Sequence, residues 1–138
     1  MVRMDKMNCI LLVDDDKVNN FISTRIVKKL DICKNIRVCM NGEEALLYLT
    51  KHCGTFDSNY PDLIILDNNM PEMNGLEFLE SFNKINFNSS HLVKVIVLTA
   101  SSSPRDEERL KSLGIYGFIQ KPLTEEKLLN VLEHAHII

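Results

Sequence analysis

Three unbroken apolar runs, at residues 9–13, 63–66 and 95–98, stand out in the hydrophobic pattern of the chain. Continuous apolar runs with β-branched members predict short strands buried on both faces, rather than half-exposed strands with alternating residues. Two further segments, 36–40 and 116–120, complete a set of five predicted strands. Each of the three unbroken runs is followed at once by polar residues.

Helical patterns separate these strands. Between residues 17 and 30 the apolar positions recur at intervals of three and four, which predicts an amphipathic helix with its apolar stripe towards the core; they are Val18, Phe21, Ile22, Ile26 and Leu30. Asn41 and Asn74 each precede a Glu by three residues and predict helices over about 42–52 and 75–85. Ser103-Pro104 predicts a helix start, Gly114 a helix stop, and Thr124 the cap of a last helix reaching Ala135.

Five strands alternating with five helices predict an α/β fold with a parallel sheet covered by helices on both faces. The right-handed crossover rule favours a doubly wound, flavodoxin-like strand order of 2-1-3-4-5. The sequence contains no internal repeat, low-complexity tract or linker, so residues 1–138 are expected to form a single domain.

Composition argues against several classes of function. The net charge of −3, without a long single-sign block, argues against nucleic acid as a partner. No apolar run is long enough for a membrane span, and we expect a cytoplasmic protein that does not contact a membrane. The four cysteines show neither a C-x-x-C pair nor a His at metal-ligand spacing, which argues against zinc or a disulfide framework.

Candidate chemistry lies at the ends of four predicted strands, in the residues Asp14-Asp15, Asp67, Thr99 and Lys121. Taken singly, each has a plain structural interpretation: an acidic turn that caps a helix, a strand-ending Asp, a loop cap and a surface lysine. The strand order 2-1-3-4-5, however, places the carboxyl ends of strands 1, 3, 4 and 5 side by side. We therefore expect these side chains to meet in one crevice.

Three carboxylates in one pocket repel each other unless a cation neutralises them or one takes up a proton. Mg²⁺ prefers oxygen ligands of the kind that Asp15, Asp67 and a backbone carbonyl two residues further on could supply, with Asp14 acting through a metal-bound water. A carboxylate can also act as a nucleophile and form an aspartyl phosphate. Mg²⁺, the Lys121 ammonium and the Thr99 hydroxyl would then neutralise the phosphoryl oxygens.

Together these motifs resemble the receiver domain of two-component response regulators. The resemblance covers the chain from Cys9 to the last helix; it rests on Asp14-Asp15, Asp67 with Met70-Pro71 and Gly75, Thr99-Ala100, and Lys121-Pro122. It implies that Asp67 is the phosphoacceptor. It also implies that the phosphoryl group comes from a sensor histidine kinase or a histidine phosphotransfer protein, and that a downstream protein target reads the result.

The resemblance further implies a role for each site residue. Asp14 and Asp15 would hold Mg²⁺ together with Asp67 and the Asn69 carbonyl. Thr99 and Lys121 would bind the phosphoryl group. The switch would couple Thr99 to Phe118, an aromatic residue that packs but cannot hydrogen-bond, and the Lys121-Pro122 bond would be cis.

Alternatives remain open from the sequence. Asp14-x-Asp16-x-Val18 after an apolar strand also fits the opening of a haloacid-dehalogenase-like phosphatase, with Asp14 as nucleophile and Asp16 as general acid or base. Phosphatases of this kind need a further acidic pair after the lysine, and this sequence lacks one after Lys121. The alternative also leaves Asp67 without a role. A flavin carrier and a binding module with an inactive acceptor are weaker alternatives. Asp16 and the loops 53–60 and 86–91 lie outside the receiver pattern, where the two loops would affect partner choice.

Overall fold

Strands and helices alternate along the chain, as the hydrophobic pattern predicts. The computed structural model describes residues 6–52, 60–86, 93–100 and 103–138. The strands are β1 Met7–Val13, β2 Cys33–Cys39, β3 Leu63–Asp67, β4 Lys94–Thr99 and β5 Gly117–Gln120. The helices are α1 Lys17–Leu30, α2 Gly42–His52, α3 Gly75–Asn86, α4 Pro104–Ser112 and α5 Glu125–His134. None of the described helices has the length and apolar character needed to cross a membrane.

The five strands form one parallel sheet in the order β2-β1-β3-β4-β5, which confirms the predicted doubly wound topology. β3 lies at the centre, and all five of its residues are buried. One face of the sheet packs against α2, α3 and α4 through residues such as Leu49, Phe78 and Leu110. The other face packs against α1 and α5 through Val27, Leu128 and Leu132. Burial on both faces explains the unbroken apolar runs.

The predicted caps form at four helices. Asn74 and Glu77 bond reciprocally, side chain to backbone, at 2.9 and 3.0 Å, which is a capping box at the start of α3. Asn41 accepts a bond from the Glu44 N–H at 2.7 Å. The side chains of Ser103 and Thr124 accept bonds from backbone N–H groups in the first turns of α4 and α5.

The predicted orientation of α1 is partly wrong. Val18, Phe21 and Ile22 are 65%, 62% and 46% exposed, while Asn20, Ser23 and Val27 are the buried residues of this helix. Only Ile26 and Leu30 from the predicted stripe pack against the core, on the α1/α5 face of the sheet. The Asn20 side chain donates a hydrogen bond to the Asp14 carbonyl at 2.8 Å. A buried carbonyl needs such a partner, so the helix turns its Asn20 face inward.

The second strand begins earlier than predicted, at Cys33 instead of residue 36, and pairs with β1 from Met7↔Cys33 onward. It lies at the edge of the sheet, where Lys34, Asn35 and Arg37 interrupt the apolar pattern that sequence analysis relies on. The loops 53–60 and 86–91 lie almost entirely outside the described residues.

The orientation of α1 predicts opposite outcomes for two truncations in the same helix. Val27→Ala should lower the free energy of unfolding by about 1.5 kcal/mol, because it removes two methyl groups from a fully buried position and regains some helix propensity. Phe21→Ala should change it by about 0.5 kcal/mol or less, because the ring is mostly exposed. Urea unfolding of both variants tests this; a larger loss for Phe21→Ala would contradict the orientation of α1.

Candidate functional site

Four strand ends deliver their polar side chains to one edge of the sheet. Asp67 is the last residue of β3 and Thr99 the last of β4, and each is only 2% exposed. Asp14 directly follows β1 and is also buried, while Lys121 directly follows β5. The register, which pairs Val13 with Leu66 and the residue before Thr99 with Asp67, brings these ends level. The convergence expected from the strand order is therefore present.

An ion pair joins the outermost of these strand ends to the central one. The Lys121 Nζ lies 2.6 Å from the Asp67 Oδ1, and the lysine side chain is 24% exposed against 2% for the aspartate. A buried carboxylate is costly unless a cation or hydrogen-bond donors compensate it. Lys121 supplies that cation across the intervening strand β4.

A cluster of three carboxylates lies beside the ion pair. Asp14, Asp15 and Asp67 each offer an oxygen, and these oxygens lie within 4.8 Å of one another. Asp14 and Asp67 are buried and Asp15 is exposed, so the cluster reaches from the sheet edge to the surface. Hard oxygen ligands that converge in this way fit a divalent cation of the Mg²⁺ type.

Asp14 shows the electrostatic cost of this cluster. Burial and, to a smaller extent, the neighbouring Asp67 charge raise the pKa of its carboxyl group, and the net effect of all its surroundings is a rise from 3.8 to about 6. The Asp16 N–H donates to the Asp14 Oδ1 at 2.9 Å and lowers the pKa again in part. A cation bound here would favour the ionised form of Asp14.

Hydrogen bonds from backbone N–H groups hold the loop after β3 against the end of β4. The Asn69 N–H donates to the Asp67 Oδ1 at 3.1 Å, and the Asn69 side-chain oxygen accepts from the Ala100 N–H at 3.2 Å. The Asn68 N–H donates to the Leu98 carbonyl at 2.9 Å. These bonds place Asn69 next to Asp67; a metal bond from its carbonyl stays a prediction.

The remaining predicted residues lie along β4 and β5. Thr99 pairs with Gln120 in the sheet, and its carbonyl accepts a bond from the Lys121 N–H at 2.8 Å. Phe118 is half-buried against the α2/α3/α4 face of the core, with the Lys111 ammonium 6.0 Å from its ring centre. The Lys121-Pro122 peptide bond is cis, which confirms that part of the expectation.

Two supporting residues escaped the sequence analysis. Asp16 is the N-cap of α1, since its carboxylate accepts bonds from the Val18 and Asn19 N–H groups at 2.7 and 3.1 Å. Its place directly before the predicted helix start could have indicated this role. Asn20, which donates to the Asp14 carbonyl, could not be identified from the sequence, because the apolar residues Val18, Phe21 and Ile22 lie close to it along the chain.

Comparison with known proteins gives a consistent family. The response regulator receiver domain family matches residues 10–133. Two-component response regulator 24 of Arabidopsis thaliana is 32% identical over 88% of this chain and 79% of its own length. Hybrid signal transduction histidine kinase B of Dictyostelium discoideum is 31% identical over 96% of the chain, but the match spans only 7% of the kinase. The structure of a two-component response regulator from Cytophaga hutchinsonii is 27% identical, with a TM-score of 0.83 over 97% of this chain and all of that one.

The raised pKa of Asp14 predicts a pH-dependent stability in the metal-free protein. Because the folded-state pKa lies above the ordinary value, the proton on Asp14 stabilises the fold fully below pH 3.8, and this stabilisation is lost as pH rises through about 6. Asp14→Asn should therefore be more stable than wild type by about 1 to 3 kcal/mol at about pH 7.5. The advantage should be at least about 1 kcal/mol smaller at about pH 5.

Urea unfolding in the presence of a chelator measures both values. Glu80→Gln, which neutralises an exposed acid on α3, is the matched control and should show no such dependence. A stability difference between Asp14→Asn and wild type that does not change with pH would contradict the assignment.

Proposed function

The chain belongs to the response regulator receiver domain family, and we propose that it accepts a phosphoryl group on Asp67 within a two-component phosphorelay. The observation that carries this proposal is the 2.6 Å contact between the Lys121 ammonium and the Asp67 carboxylate, beside the three-carboxylate cluster. Receiver domains are generally phosphoacceptors in signalling rather than enzymes that turn over a substrate. A phosphoacceptor role agrees with a site in which the lysine contacts a single buried carboxylate, that of Asp67.

The donor we propose is a phosphohistidine on a sensor histidine kinase or a histidine phosphotransfer protein. An oxygen of the Asp67 carboxylate attacks the phosphorus, and an O–P bond forms while the P–N bond to the imidazole breaks. The electron pair of the broken bond goes to the imidazole nitrogen, which takes up a proton. The product is an acyl phosphate on Asp67 and a neutral histidine on the donor.

Mg²⁺ is the cofactor we propose, held by Asp14, Asp15 and Asp67 together with the Asn69 carbonyl. The support is the convergence of three carboxylate oxygens within 4.8 Å in an arrangement that is otherwise repulsive. When bound, Mg²⁺ would neutralise negative charge that develops on the phosphoryl oxygens.

Two protein groups would contact the phosphoryl group directly. The Lys121 ammonium already lies against Asp67, and the buried Thr99 hydroxyl ends the strand next to it. Both can neutralise or hydrogen-bond equatorial oxygens without reorganisation of the backbone. We assign the switch to Thr99 and Phe118, with Pro122 as a structural residue beside Lys121.

The signal would leave through a protein surface, either by contact with a target or by onward phosphotransfer. We propose that residues 1–138 act as one receiver domain in the cytoplasm, where phosphohistidine donors of this kind present their histidine. Among the relatives, domains of this family occur in response regulators and in hybrid kinases. Proteins of both kinds are therefore candidate members of the proposed phosphorelay.

The phosphatase alternative gains no support from the site. Its general acid or base would be Asp16, but this carboxylate caps α1 through two backbone bonds. Its nucleophile would be Asp14, whereas the lysine contacts Asp67.

Phosphorylation should occur on Asp67 alone. With a small phosphodonor such as acetyl phosphate and Mg²⁺, the intact mass of wild type should rise by about 80 Da, the mass of one phosphoryl group. Asp67→Asn should gain nothing, because the nucleophilic carboxylate is gone. Full labelling of Asp67→Asn would contradict the assignment. Release of many equivalents of phosphate that Asp14→Asn abolishes but that survives in Asp67→Asn would favour the phosphatase instead.

Mg²⁺ should stabilise the folded chain through the carboxylate cluster. At about ten times the dissociation constant, linkage predicts an increase of about 1.4 kcal/mol in the free energy of unfolding. Asp15→Ala should lose the increase without damage to the fold, because Asp15 is exposed. Urea unfolding with and without Mg²⁺ measures it, with Glu80→Ala as a surface control that keeps the increase. An equal increase in Asp15→Ala would contradict the metal assignment.

A further inference from the structure

Lys127, in the first turn of α5, contacts the loop that carries Lys121. Its Nζ donates to the Gln120 carbonyl at 2.9 Å and to the Pro122 carbonyl at 3.0 Å. One ammonium group therefore bonds the carbonyls of the residues on either side of Lys121. The site described above makes no use of this contact.

The helix itself gives no reason for a lysine at this position. The N-terminal turn of a helix carries a partial positive charge, so a cation there is unfavourable and an acid favourable. Glu125 and Glu126 follow that rule in the same turn, and Lys127 breaks it. Its backbone N–H already has a partner in the Thr124 hydroxyl, at 3.1 Å. Its side chain adds the hydrogen bonds to the two loop carbonyls, those of Gln120 and Pro122.

These bonds hold the Gln120–Lys121 peptide group from both sides. Its N–H donates to the Thr99 carbonyl at 2.8 Å, and its carbonyl accepts from Lys127. From this fixed point the flexible side chain of Lys121 spans to Asp67. A lysine side chain is a flexible stem of four carbons, so the position of its ammonium depends strongly on the position of the backbone from which the stem extends.

We propose that Lys127 is a positioning residue for phosphoryl transfer: it holds the backbone of Lys121 so that the Lys121 ammonium meets the phosphoryl group on Asp67. This inference rests on the proposed function. Groups that stabilise charge must be held within a fraction of an ångström of the productive position, and supporting contacts set that precision.

Replacement of the ammonium tests the role. Lys127→Met keeps a long side chain and removes both donors, Lys127→Arg keeps the charge and the donors, and Lys84→Met removes a lysine from an exposed position on α3. Two quantities are measured in each variant: the rate of phosphorylation by acetyl phosphate with Mg²⁺, and the exchange rate of the Lys121 backbone amide by NMR. Mg²⁺ affinity is measured alongside by calorimetry, because Lys121 is not a proposed metal ligand.

In Lys127→Met we expect phosphorylation to slow about fivefold or more and the Lys121 amide to exchange about tenfold faster, while Mg²⁺ affinity stays within about twofold of wild type. Lys127→Arg should recover most of the rate, and Lys84→Met should match wild type. Wild-type phosphorylation and Lys121 exchange rates in Lys127→Met would overturn the inference, and so would an equal loss of Mg²⁺ affinity. If wild type itself is not phosphorylated, the proposed function fails and the positioning role for phosphoryl transfer fails with it, and the exchange rate then shows only whether Lys127 holds the Lys121 backbone.

Discussion

The repulsion among buried carboxylates at the end of the central strands is the constraint on which the site depends. Asp14 and Asp67 lie where the sheet excludes water, and the raised pKa of Asp14 measures what that burial costs. Lys121, at the end of β5, offsets the charge of Asp67 across the intervening strand β4, because the ends of these parallel strands lie level. Two further negative charges remain close by, and together with Asp67 they form the group of carboxylates for which we propose a divalent cation.

Backbone bonds, rather than side chains alone, keep this arrangement fixed. In the loop after β3, the Asn68 N–H donates to Leu98 of β4 and the Asn69 side chain accepts from Ala100, which follows β4, while the Lys121 N–H after β5 donates to Thr99. The proposed phosphoacceptor and the two proposed phosphoryl-binding residues therefore belong to one hydrogen-bonded unit. In the part of the chain that the structure describes, these loops are therefore joined to neighbouring strand ends by hydrogen bonds.

Most of the fold could be predicted because its determinants are local. Apolar runs mark the buried strands, Asn, Ser and Thr mark helix starts, and the crossover rule then favours the observed strand order. The meeting of Asp14, Asp67 and Lys121 follows from that order without further information. The start of β2 was not predicted, because an edge strand that is partly exposed to solvent lacks a continuous apolar run. The contacts of Asn20 and Lys127 were missed because each is a side chain that reaches a backbone carbonyl, which depends on loop geometry that no spacing rule encodes.

The two clearest departures from local rules both lie next to the site. The first turns of α1 present Phe21 and Ile22 to solvent while Asn20 is buried, which reverses the expected hydrophobic pattern. The first turn of α5 carries a cation against the helix dipole. In both cases the residue that departs from the rule donates a hydrogen bond to a carbonyl in a loop that holds a site residue. Asn20 donates to Asp14 itself, and Lys127 donates to the two neighbours of Lys121. Sequences tend to break local rules where a site requires it, and here the same requirement, a fixed loop carbonyl, accounts for both exceptions.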